Sequence, residues 1–410
     1  MKIGIIGAGI SGLSLAKMLK KDHDVVVFEK ESCVGGIART DTVNHATYHL
    51  VGGHCFNSKN KEVLDFVFDE VLPVNEWHRV ERKAKIFFKG ELVSYPIEFS
   101  IQEIAKIDKD LAFRITRDFL NTGTEDRKDL ESWFISKFGN TLAQEYLIPY
   151  NRKIWNNEPK NMSPDWVEGK LPIPNRDSFL KALISSEDDM MPHSSFYYPN
   201  TNNQNDFIAA LASGINIKTD YNVSSLRYDK SINKWFINEE ECFDKIVSTM
   251  PLDILPSIID GVPESVLESA RKLKYNKVST MLWESQPTEL TWTYDPSPDT
   301  LFHRHIHIGS FFSPKKNITI TEAIGEHDYD SMAQAGKKIP YLVKPLAHNV
   351  SGRAYVVFDE NYSESVADIM KYLESIDLTT LGRFGEWEYY NMDICIESAL
   401  KVSKKFITPL

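Results

Sequence analysis

The sequence predicts an α/β protein that combines a parallel-sheet domain, an inserted helical domain and an antiparallel β-sheet domain. Three observations support this fold class. The chain opens with a buried strand, a glycine-rich turn and a helix within residues 1–19. Apolar residues take up helical spacing between residues 99 and 150, and residues 274–324 return to strand-like runs. Because strands reappear after the helical stretch, that stretch is interpreted as an insertion.

Glycines join the first strand and helix at the spacing of a dinucleotide-binding turn. Gly7, Gly9 and Gly12 follow an apolar run of the kind that a parallel sheet buries, in the order G-x-G-x-x-G. Such glycines let the backbone approach a pyrophosphate at the N-terminus of a helix. The second strand ends at Glu29, whose carboxylate suits a ribose hydroxyl and favours a cofactor without a 2′-phosphate.

The segment after Glu29 distinguishes a flavin site from a nicotinamide site. Gly35, Gly36 and Arg39 follow it closely. Together they resemble the extended ADP-binding signature of FAD proteins of the glutathione-reductase and amine-oxidase type. In those families, a glycine pair and an arginine continue the cradle around the pyrophosphate and the ribityl chain. We therefore predict FAD as the cofactor, with an ordinary Rossmann nicotinamide site as the alternative.

Composition is typical of a globular protein with more than one domain. The 410 residues exceed what one core usually holds, and 42% are hydrophobic and 26% charged. A formal net charge of −11 does not favour binding to nucleic acid or to an anionic membrane. An anionic substrate would therefore require arginine and lysine side chains at its binding site. Met1 leads directly into the first strand, and no apolar run approaches a membrane span, so we expect a cytoplasmic protein without a signal peptide. Scattered cysteines without a C-x-x-C motif predict free thiols.

The order of strand-like and helical stretches predicts how the three domains divide the chain. We assign residues 1–72, 195–262 and 350–410 to the Rossmann-type FAD-binding domain, 99–190 to the helical insertion, and 73–98 with 263–349 to the β-sheet substrate domain. A hairpin is predicted to turn at Lys89-Gly90, and helices are predicted over residues 101–119 and 130–147. The last helices, predicted over residues 363–373 and 394–404, are expected to close over the cofactor.

Several further segments occur in order along the chain and resemble one family. They are Val51-Gly52-Gly53-His54-Cys55-Phe56, Tyr95-Pro96-Ile-Glu-Phe, Tyr150-Asn151-Arg-Lys-Ile-Trp155 with Trp166 to Asn175, Thr291 to Pro314, and Gly382-Arg383-Phe384-Gly385-Glu-Trp387-Glu-Tyr389-Tyr-Asn391-Met392. Together with the FAD signature, they resemble the UDP-galactopyranose mutases, within the amine-oxidase-like FAD superfamily. The likeness is closer to the eukaryotic branch than to the bacterial one. Each segment alone is weak, but the ordered set is specific.

The resemblance also implies which residues hold the flavin. Beside the glycines, Glu29 and Arg39 already named, the implied cofactor contacts are Gly53, Val223, Arg383 and Met392. Arg383 stands between two glycines that allow a close approach to a ligand, so we expect it to donate hydrogen bonds to the flavin. An arginine on the solvated surface is the alternative.

A second set of residues is implied for catalysis and substrate binding. The implied catalytic residues are His54, Arg304, Lys170 and Tyr389. The implied substrate contacts are Trp155, Lys170, Arg176, Tyr294, Arg304, Tyr355, Tyr389 and Asn391. Six of them also have an ordinary structural interpretation: His54 as a core histidine, Arg304 as a surface charge on a strand, and the aromatic side chains of Trp155, Tyr294, Tyr355 and Tyr389 as packing.

The chain departs from the family pattern at two places. Lys170 stands where the family has a phosphate-binding arginine, with Arg176 nearby as a substitute, and lysine lacks the bidentate fork of arginine. Asparagines follow Tyr198-Pro199 where the family has glycines. Because asparagine tolerates a positive φ, we expect the turn to be kept.

Three histidines alternate along one strand-like run. His303, His305 and His307 would share one strand face, which superficially suggests a metal site. No carboxylate or thiolate at a suitable spacing accompanies them. We therefore expect no metal, with these side chains at the rim of the substrate cleft or on the surface.

The resemblance implies a reaction without net redox change. N5 of reduced FAD would attack the anomeric carbon and expel the nucleoside diphosphate. The sugar would then open and reclose through a different hydroxyl, and return of the diphosphate would complete the interconversion of the pyranose and furanose forms of UDP-galactose or a related nucleotide sugar. NAD(P)H is a candidate transient reductant, and neither nucleic acid nor a membrane is expected as a partner. Two alternatives remain open: an FAD-dependent oxidase of the amine-oxidase or protoporphyrinogen-oxidase type, and a flavoprotein that binds FAD without catalysis.

Overall fold

The computed structural model describes residues 1–167, 171, 173–184 and 194–407. The strands are β1 (Lys2–Ile6), β2 (Asp24–Phe28), β3 (Thr40–Val43), β4 (Ala46–His49), β5 (Trp77–Glu81), β6 (Ala84–Phe88), β7 (Glu91–Ser94), β8 (Ser195–Pro199), β9 (Asn216–Lys218), β10 (Leu226–Asp229), β11 (Lys234–Ile237), β12 (Glu241–Phe243), β13 (Lys245–Ser248), β14 (Lys274–Ser285), β15 (Trp292–Tyr294), β16 (Arg304–Ile306), β17 (Ile318–Ile324), β18 (Leu342–Val357) and β19 (Thr379–Thr380). The α-helices are α1 (Ile10–Leu19), α2 (Lys61–Asp65), α3 (Ile101–Ile107), α4 (Lys109–Leu120), α5 (Leu130–Phe138), α6 (Asn140–Leu142), α7 (Ile148–Trp155), α8 (Arg176–Ile184), α9 (Gln204–Ala212), α10 (Glu264–Lys272), α11 (Tyr329–Gly336), α12 (Tyr362–Ser375), α13 (Gly382–Gly385) and α14 (Met392–Ile407).

A five-stranded parallel sheet carries the N-terminal motif. Its strands lie in the order β19-β13-β1-β2-β9, and each neighbouring pair is parallel. β1 and β2 are apolar and buried, as expected for strands covered on both faces. Helices α1, α9 and α14 pack together beside this sheet. Strands β9, β13 and β19 come from the chain after the helical stretch, so the sheet resumes there, as the sequence predicts.

A seven-stranded sheet forms the second layer of strands. Its order is β18-β14-β17-β16-β15-β6-β7, and its neighbours are antiparallel except for the parallel pair β15 and β6. The parallel pair differs from the purely antiparallel sheet that the sequence predicts. It arises because the hairpin β6–β7 precedes the helical stretch and joins the sheet from a distant part of the chain.

The helices before the second strand block are shorter than their periodicity predicts. The first breaks at Asp108, which is extended and caps α4 by accepting a 2.9 Å hydrogen bond from the backbone of Leu111. The second ends at Phe138 because Gly139 takes a φ of 81°. A π-helical stretch, Ala143–Leu147, then leads into α7.

Two predicted turns are present. The hairpin turns at Lys89 and Gly90, which have φ values of 50° and 86°. In the asparagine-rich segment, Asn202 takes a φ of 61°, and its backbone donates to the carbonyl of Pro199 over 2.8 Å. The expectation that asparagine would keep this turn is therefore confirmed.

The described residues contain neither a membrane-spanning helix nor a disulfide bond. Within the described residues, no helix has both the length and the apolar character needed to cross a bilayer. All four cysteines lie in the described part of the chain, and each is a free thiol.

Candidate functional site

The glycine-rich turn between β1 and α1 leaves one open face. Gly7 has a φ of 99°, and a Cβ on Gly12 would lie 2.0 Å from the carbonyl oxygen of Gly7. A Cβ on Gly9, in contrast, would have no neighbour within 4 Å. The buried carboxylate of Glu29 accepts a 2.8 Å hydrogen bond from the backbone of Ala8, which fixes it beside this turn. The first and third glycines thus permit close packing, and Gly9 faces free space.

The second glycine pair lies against the first. The backbone of Gly35 donates to the carbonyl of Ala8 over 2.7 Å, and Gly9 pairs with Gly35 as an isolated parallel bridge. A Cβ on Gly36 would approach the α-carbon of Gly9 to 3.3 Å. Arg39 donates from Nε to the carbonyl of Gly36 over 2.9 Å. Two glycine segments therefore form one cradle of the kind that fits a dinucleotide.

Arg383 lies beside the start of α1. Gly382 has a φ of 83°, and a Cβ there would lie 2.2 Å from Oγ of Ser11. The Arg383 guanidinium stands 4.7 Å from the ring centre of Tyr389 and 5.2 Å from that of Tyr355. Its Nε and Nη2 are buried without a hydrogen-bond partner among the described residues. An open cradle bordered by unpartnered donors of this kind fits FAD.

Three other residues predicted to bind the cofactor are packed in the protein. A Cβ on Gly53 would lie 2.9 Å from the side chain of Ile306 in the seven-stranded sheet. Val223 is buried, and Met392 is buried at the start of α14, where its sulfur lies 3.7 Å from Nε2 of Gln204. These contacts agree equally with packing, so the flavin contacts of Gly53, Val223 and Met392 stay predictions.

His54 is a neutral imidazole. Burial, followed by the positive charges of Arg383 and Arg304, lowers the pKa of His54 to about 3. Interaction with the backbone at Ile37 and Val51 acts in the opposite direction on this pKa, and its effect is smaller. Its Nε2 has no hydrogen-bond partner in the described part of the chain. His54 therefore presents Nε2 as a free hydrogen-bonding atom at neutral pH.

Arg304, Glu322 and Tyr355 form a connected group beside His54. Nε of Arg304 donates to Glu322 over 2.7 Å, and Nη2 donates to the Tyr355 hydroxyl, also over 2.7 Å. The Tyr355 hydroxyl donates in turn to Glu322 over 3.2 Å, and Glu322 is fully buried. A Cβ on Gly52 would lie 3.7 Å from both Nη2 of Arg304 and Nε2 of His54. Both groups therefore border the same space.

Aromatic side chains line the space next to Arg304. Tyr355 and Tyr389 stack with ring centres 6.0 Å apart, and the edge of Trp155 meets both rings at about the same distance. Nε1 of Trp155 donates a 3.1 Å hydrogen bond to the side chain of Asn151, and this bond fixes the orientation of the indole ring. These three predicted site residues are brought together as one wall.

A second cationic group lies in a cluster of tyrosines. Nη2 of Arg82 donates to the Tyr294 hydroxyl over 2.8 Å, and its guanidinium lies 4.9 Å from the ring centre of Trp292. The ring of Tyr294 also contacts Tyr95 at 5.1 Å and Tyr150 at 6.0 Å. The buried Nε of Arg82 has no hydrogen-bond partner among the described residues.

Two predicted substrate contacts, Arg176 and Asn391, are not assembled with this group. Arg176 is exposed at the start of α8, and its Nη2 donates to the carbonyl of Leu120 over 3.3 Å. Asn391 is exposed, and its carbonyl accepts from the backbone of Cys395 in the first turn of α14. Lys170 lies outside the described residues. The substrate roles of all three stay predictions.

Sequence reasoning missed two residues of this group. Arg82 follows Arg79-Val-Glu and precedes Lys83, so nothing in the local sequence distinguishes it from a solvated charged residue. Glu322 stands in an apolar strand, β17, where a buried carboxylate is unusual unless it is paired. That isolated acid in an apolar strand is the signal that could have identified it.

The histidine run is buried, which contradicts its predicted place at the cleft rim or on the surface. The exposed fractions of His303, His305 and His307 are 3%, 1% and 3%. His307 hydrogen-bonds to Thr293 over 2.9 Å and to Thr319 over 3.0 Å. The strand is buried because β16 lies between β15 and β17 inside the sheet. Within the described residues, no group of three or more histidine, cysteine or acidic side chains could hold a metal ion.

Glu98 gives a pH-dependent prediction. It is 5% exposed near Tyr95 and Tyr146, and burial raises its pKa from 4.5 to about 8. Because the folded state holds this proton more tightly, the contribution of Glu98 to stability is complete below about pH 4.5 and is lost as the pH rises towards 8. We expect the wild type to lose up to about 1.4 kcal/mol per pH unit relative to Glu98→Gln in this window. Urea unfolding at pH 5.5, 6.5 and 7.5 measures the difference, and parallel pH profiles would contradict it.

Several known proteins are similar to this chain in sequence. Residues 5–71 match the NAD(P)-binding Rossmann-like domain family. A probable UDP-galactopyranose mutase of Klebsiella pneumoniae is 22% identical over 99% of this chain and 94% of its own length. A dTDP-fucopyranose mutase of Escherichia coli is 24% identical over 42% of this chain and 46% of its own length.

The fold is also similar to that of a solved structure. The crystal structure of a reduced UDP-galactopyranose mutase superposes with a TM-score of 0.86 at 20% identity, covering 99% of this chain and 95% of the other. The predicted α/β fold class is confirmed, whereas the closer likeness to the eukaryotic branch stays a prediction. The chain is therefore similar to UDP-galactopyranose mutases over nearly its full length, and it shares their fold.

Proposed function

We propose that the chain is an FAD-dependent mutase that interconverts the pyranose and furanose forms of a nucleotide sugar, UDP-galactose or a relative. The observation that carries this proposal is the excess of positive charge in the aromatic cleft. Arg82, Arg304 and Arg383 surround it, whereas Glu322 is the carboxylate bound to Arg304. In a chain of net charge −11, such an arrangement favours an anionic ligand.

A diphosphate accounts for this arrangement better than an amine or a porphyrinogen. The guanidinium fork matches phosphate oxygens, and charge-assisted hydrogen bonds are strong when water is excluded. An oxidase of the amine-oxidase type would instead require an apolar cavity next to the flavin. The unpartnered Nε atoms of Arg82 and Arg383 would be costly in such a cavity.

The proposed roles follow from the contacts. When bound, reduced FAD supplies the nucleophile for the anomeric carbon. Arg304, oriented by Glu322 and Tyr355, holds the departing diphosphate, and the stacked rings of Tyr355 and Tyr389 exclude water from it. His54 stays neutral and offers Nε2 to a hydrogen-bond partner next to Arg304.

Arg82→Met tests the second cationic group. We expect the affinity of the reduced protein for UDP to fall about 10- to 100-fold, because a charge-assisted hydrogen bond contributes about 1.5–3 kcal/mol. Folding should be unchanged or improved, since a partly buried cation is replaced by an apolar chain of similar length. Calorimetric titration with UDP measures the affinity, and thermal unfolding measures the stability.

Arg79→Met is the matched control, because Arg79 is an exposed arginine on β5, the strand that ends just before Arg82, and its Nε donates to Ser195. It should leave UDP affinity unchanged. If the two variants bind UDP with equal affinity, Arg82 does not contribute to UDP binding.

The reaction itself is tested with dithionite-reduced protein and UDP-galactofuranose, alongside a small panel of other nucleotide sugars. We expect chromatography to show conversion to the pyranose with reduced protein and none with oxidised protein, without net consumption of the reductant. A parallel arm replaces dithionite by NADPH or NADH to identify the transient reductant. Stoichiometric oxygen consumption with an amine or a porphyrinogen, and no isomerisation of any nucleotide sugar, would establish the oxidase instead.

A further inference from the structure

A cavity of about 1000 Å³ lies on the opposite side of strand β16 from Arg304. Side chains alternate along a strand, so Arg304 borders the aromatic cleft while the next residue, His305, lines this cavity. Most of the wall is apolar and includes Phe87, Leu92, Pro149, Pro296, Ile339 and Tyr341. The volume lies at the upper end of the range for sites that hold small organic molecules.

His305 gives this apolar cavity a buried polar atom. The side chain is 1% exposed, its Nδ1 shares a hydrogen bond with the Tyr341 hydroxyl, and its Nε2 has no partner among the described residues. Burial lowers the pKa of His305 to about 3, so the ring is neutral at physiological pH. Because the tyrosine hydroxyl can rotate, Nε2 can serve either as donor or as acceptor.

Four charged side chains line the wall of the cavity: Lys89, Glu145 and Asp295 are partnered within the protein, and Lys338 is exposed to solvent. Lys89 forms a 2.8 Å salt bridge with Glu145. The carboxylate of Asp295 accepts hydrogen bonds from the backbone of Ser297 over 2.9 Å and from the Thr300 hydroxyl over 2.7 Å. These groups therefore need no charged ligand, and the unsatisfied polar atom of His305 is neutral.

We propose that this cavity is a second binding site, separate from the nucleotide-sugar cleft, for a neutral and mostly apolar organic molecule that offers one hydroxyl or carbonyl group to His305. The apolar wall supplies most of the affinity through burial of the ligand. The hydrogen bond to Nε2 fixes the orientation of the ligand, because an unsatisfied buried nitrogen favours a ligand that can pair with it.

The test uses the FAD-loaded protein with 2-naphthol and naphthalene, which differ by one hydroxyl. We expect saturable binding of 2-naphthol, followed by ligand fluorescence and calorimetry, with naphthalene binding about fivefold more weakly, the ratio that corresponds to one hydrogen bond. His305→Leu should bring the two affinities together. Saturating UDP should leave both affinities unchanged, because the two sites lie on opposite sides of β16.

A second variant tests the cavity without changing the buried His305, whose substitution could disturb folding. Leu92 lines the cavity and is 43% exposed, so Leu92→Glu should fold normally and weaken 2-naphthol binding at least tenfold. Val343→Glu, at a 58% exposed valine outside the cavity wall, should bind like the wild type. No saturable binding, displacement by UDP, or equal binding by both glutamate variants would each overturn the proposal.

Discussion

Arg304→Ala is expected to destabilise the protein by about 3–5 kcal/mol and to reduce UDP binding to the reduced protein at least tenfold. The loss of stability follows from Glu322, which is fully buried and would be left without its cationic partner. The loss of binding follows from removal of the guanidinium that we assign to the diphosphate. Urea unfolding and calorimetric titration with UDP measure the two effects separately.

A double variant separates the two causes. Arg304→Ala with Glu322→Gln removes the unpaired buried charge together with the arginine, so it should recover most of the lost stability. UDP affinity should remain as low as in the single variant. If the double variant recovers UDP binding together with stability, Arg304 affects binding only by stabilising the fold and does not contact the substrate.

The cofactor cradle could be predicted from sequence because its determinants are local. Gly7, Gly9 and Gly12 act within one turn, and their roles depend on backbone space that no side chain elsewhere can supply. Glu29 follows at the end of the neighbouring parallel strand, where the βαβ arrangement must bring it close. For Arg304 and Tyr389, the predicted roles came from resemblance to the family motifs.

Contacts between distant segments could not be predicted in the same way. Arg82 reaches Tyr294 across 212 positions, and nothing near it in sequence distinguishes it from its charged neighbours. The burial of His305 likewise depends on which strands flank β16, and pairing of distant strands is not encoded in local alternation. The break at Asp108 shows the opposite case, since a capping aspartate is a local signal that periodicity alone overlooks.

Gly9→Val is expected to lose its flavin while the flavin-free protein folds normally. Gly9 has a φ of −78°, which valine can adopt, and a Cβ there would meet nothing within 4 Å. That free space is where we place the pyrophosphate of FAD, so the added methyl groups should push the cofactor away and weaken binding at least about a hundredfold. The absorbance of purified protein and titration with FAD measure this loss.

Two glycine variants distinguish a lost cofactor from a damaged fold. Gly352→Val places the same side chain at a glycine that is equally open but lies in β18, so it should keep its flavin. Gly12→Ala should both lose its flavin and unfold at a lower temperature, because its Cβ would lie 2.0 Å from the carbonyl oxygen of Gly7. If Gly9→Val retains flavin as firmly as Gly352→Val, the open face of the turn does not hold the cofactor. If instead it alone loses flavin and unfolds at the same temperature as the flavin-free wild type, the space beside Gly9 serves the ligand rather than the fold.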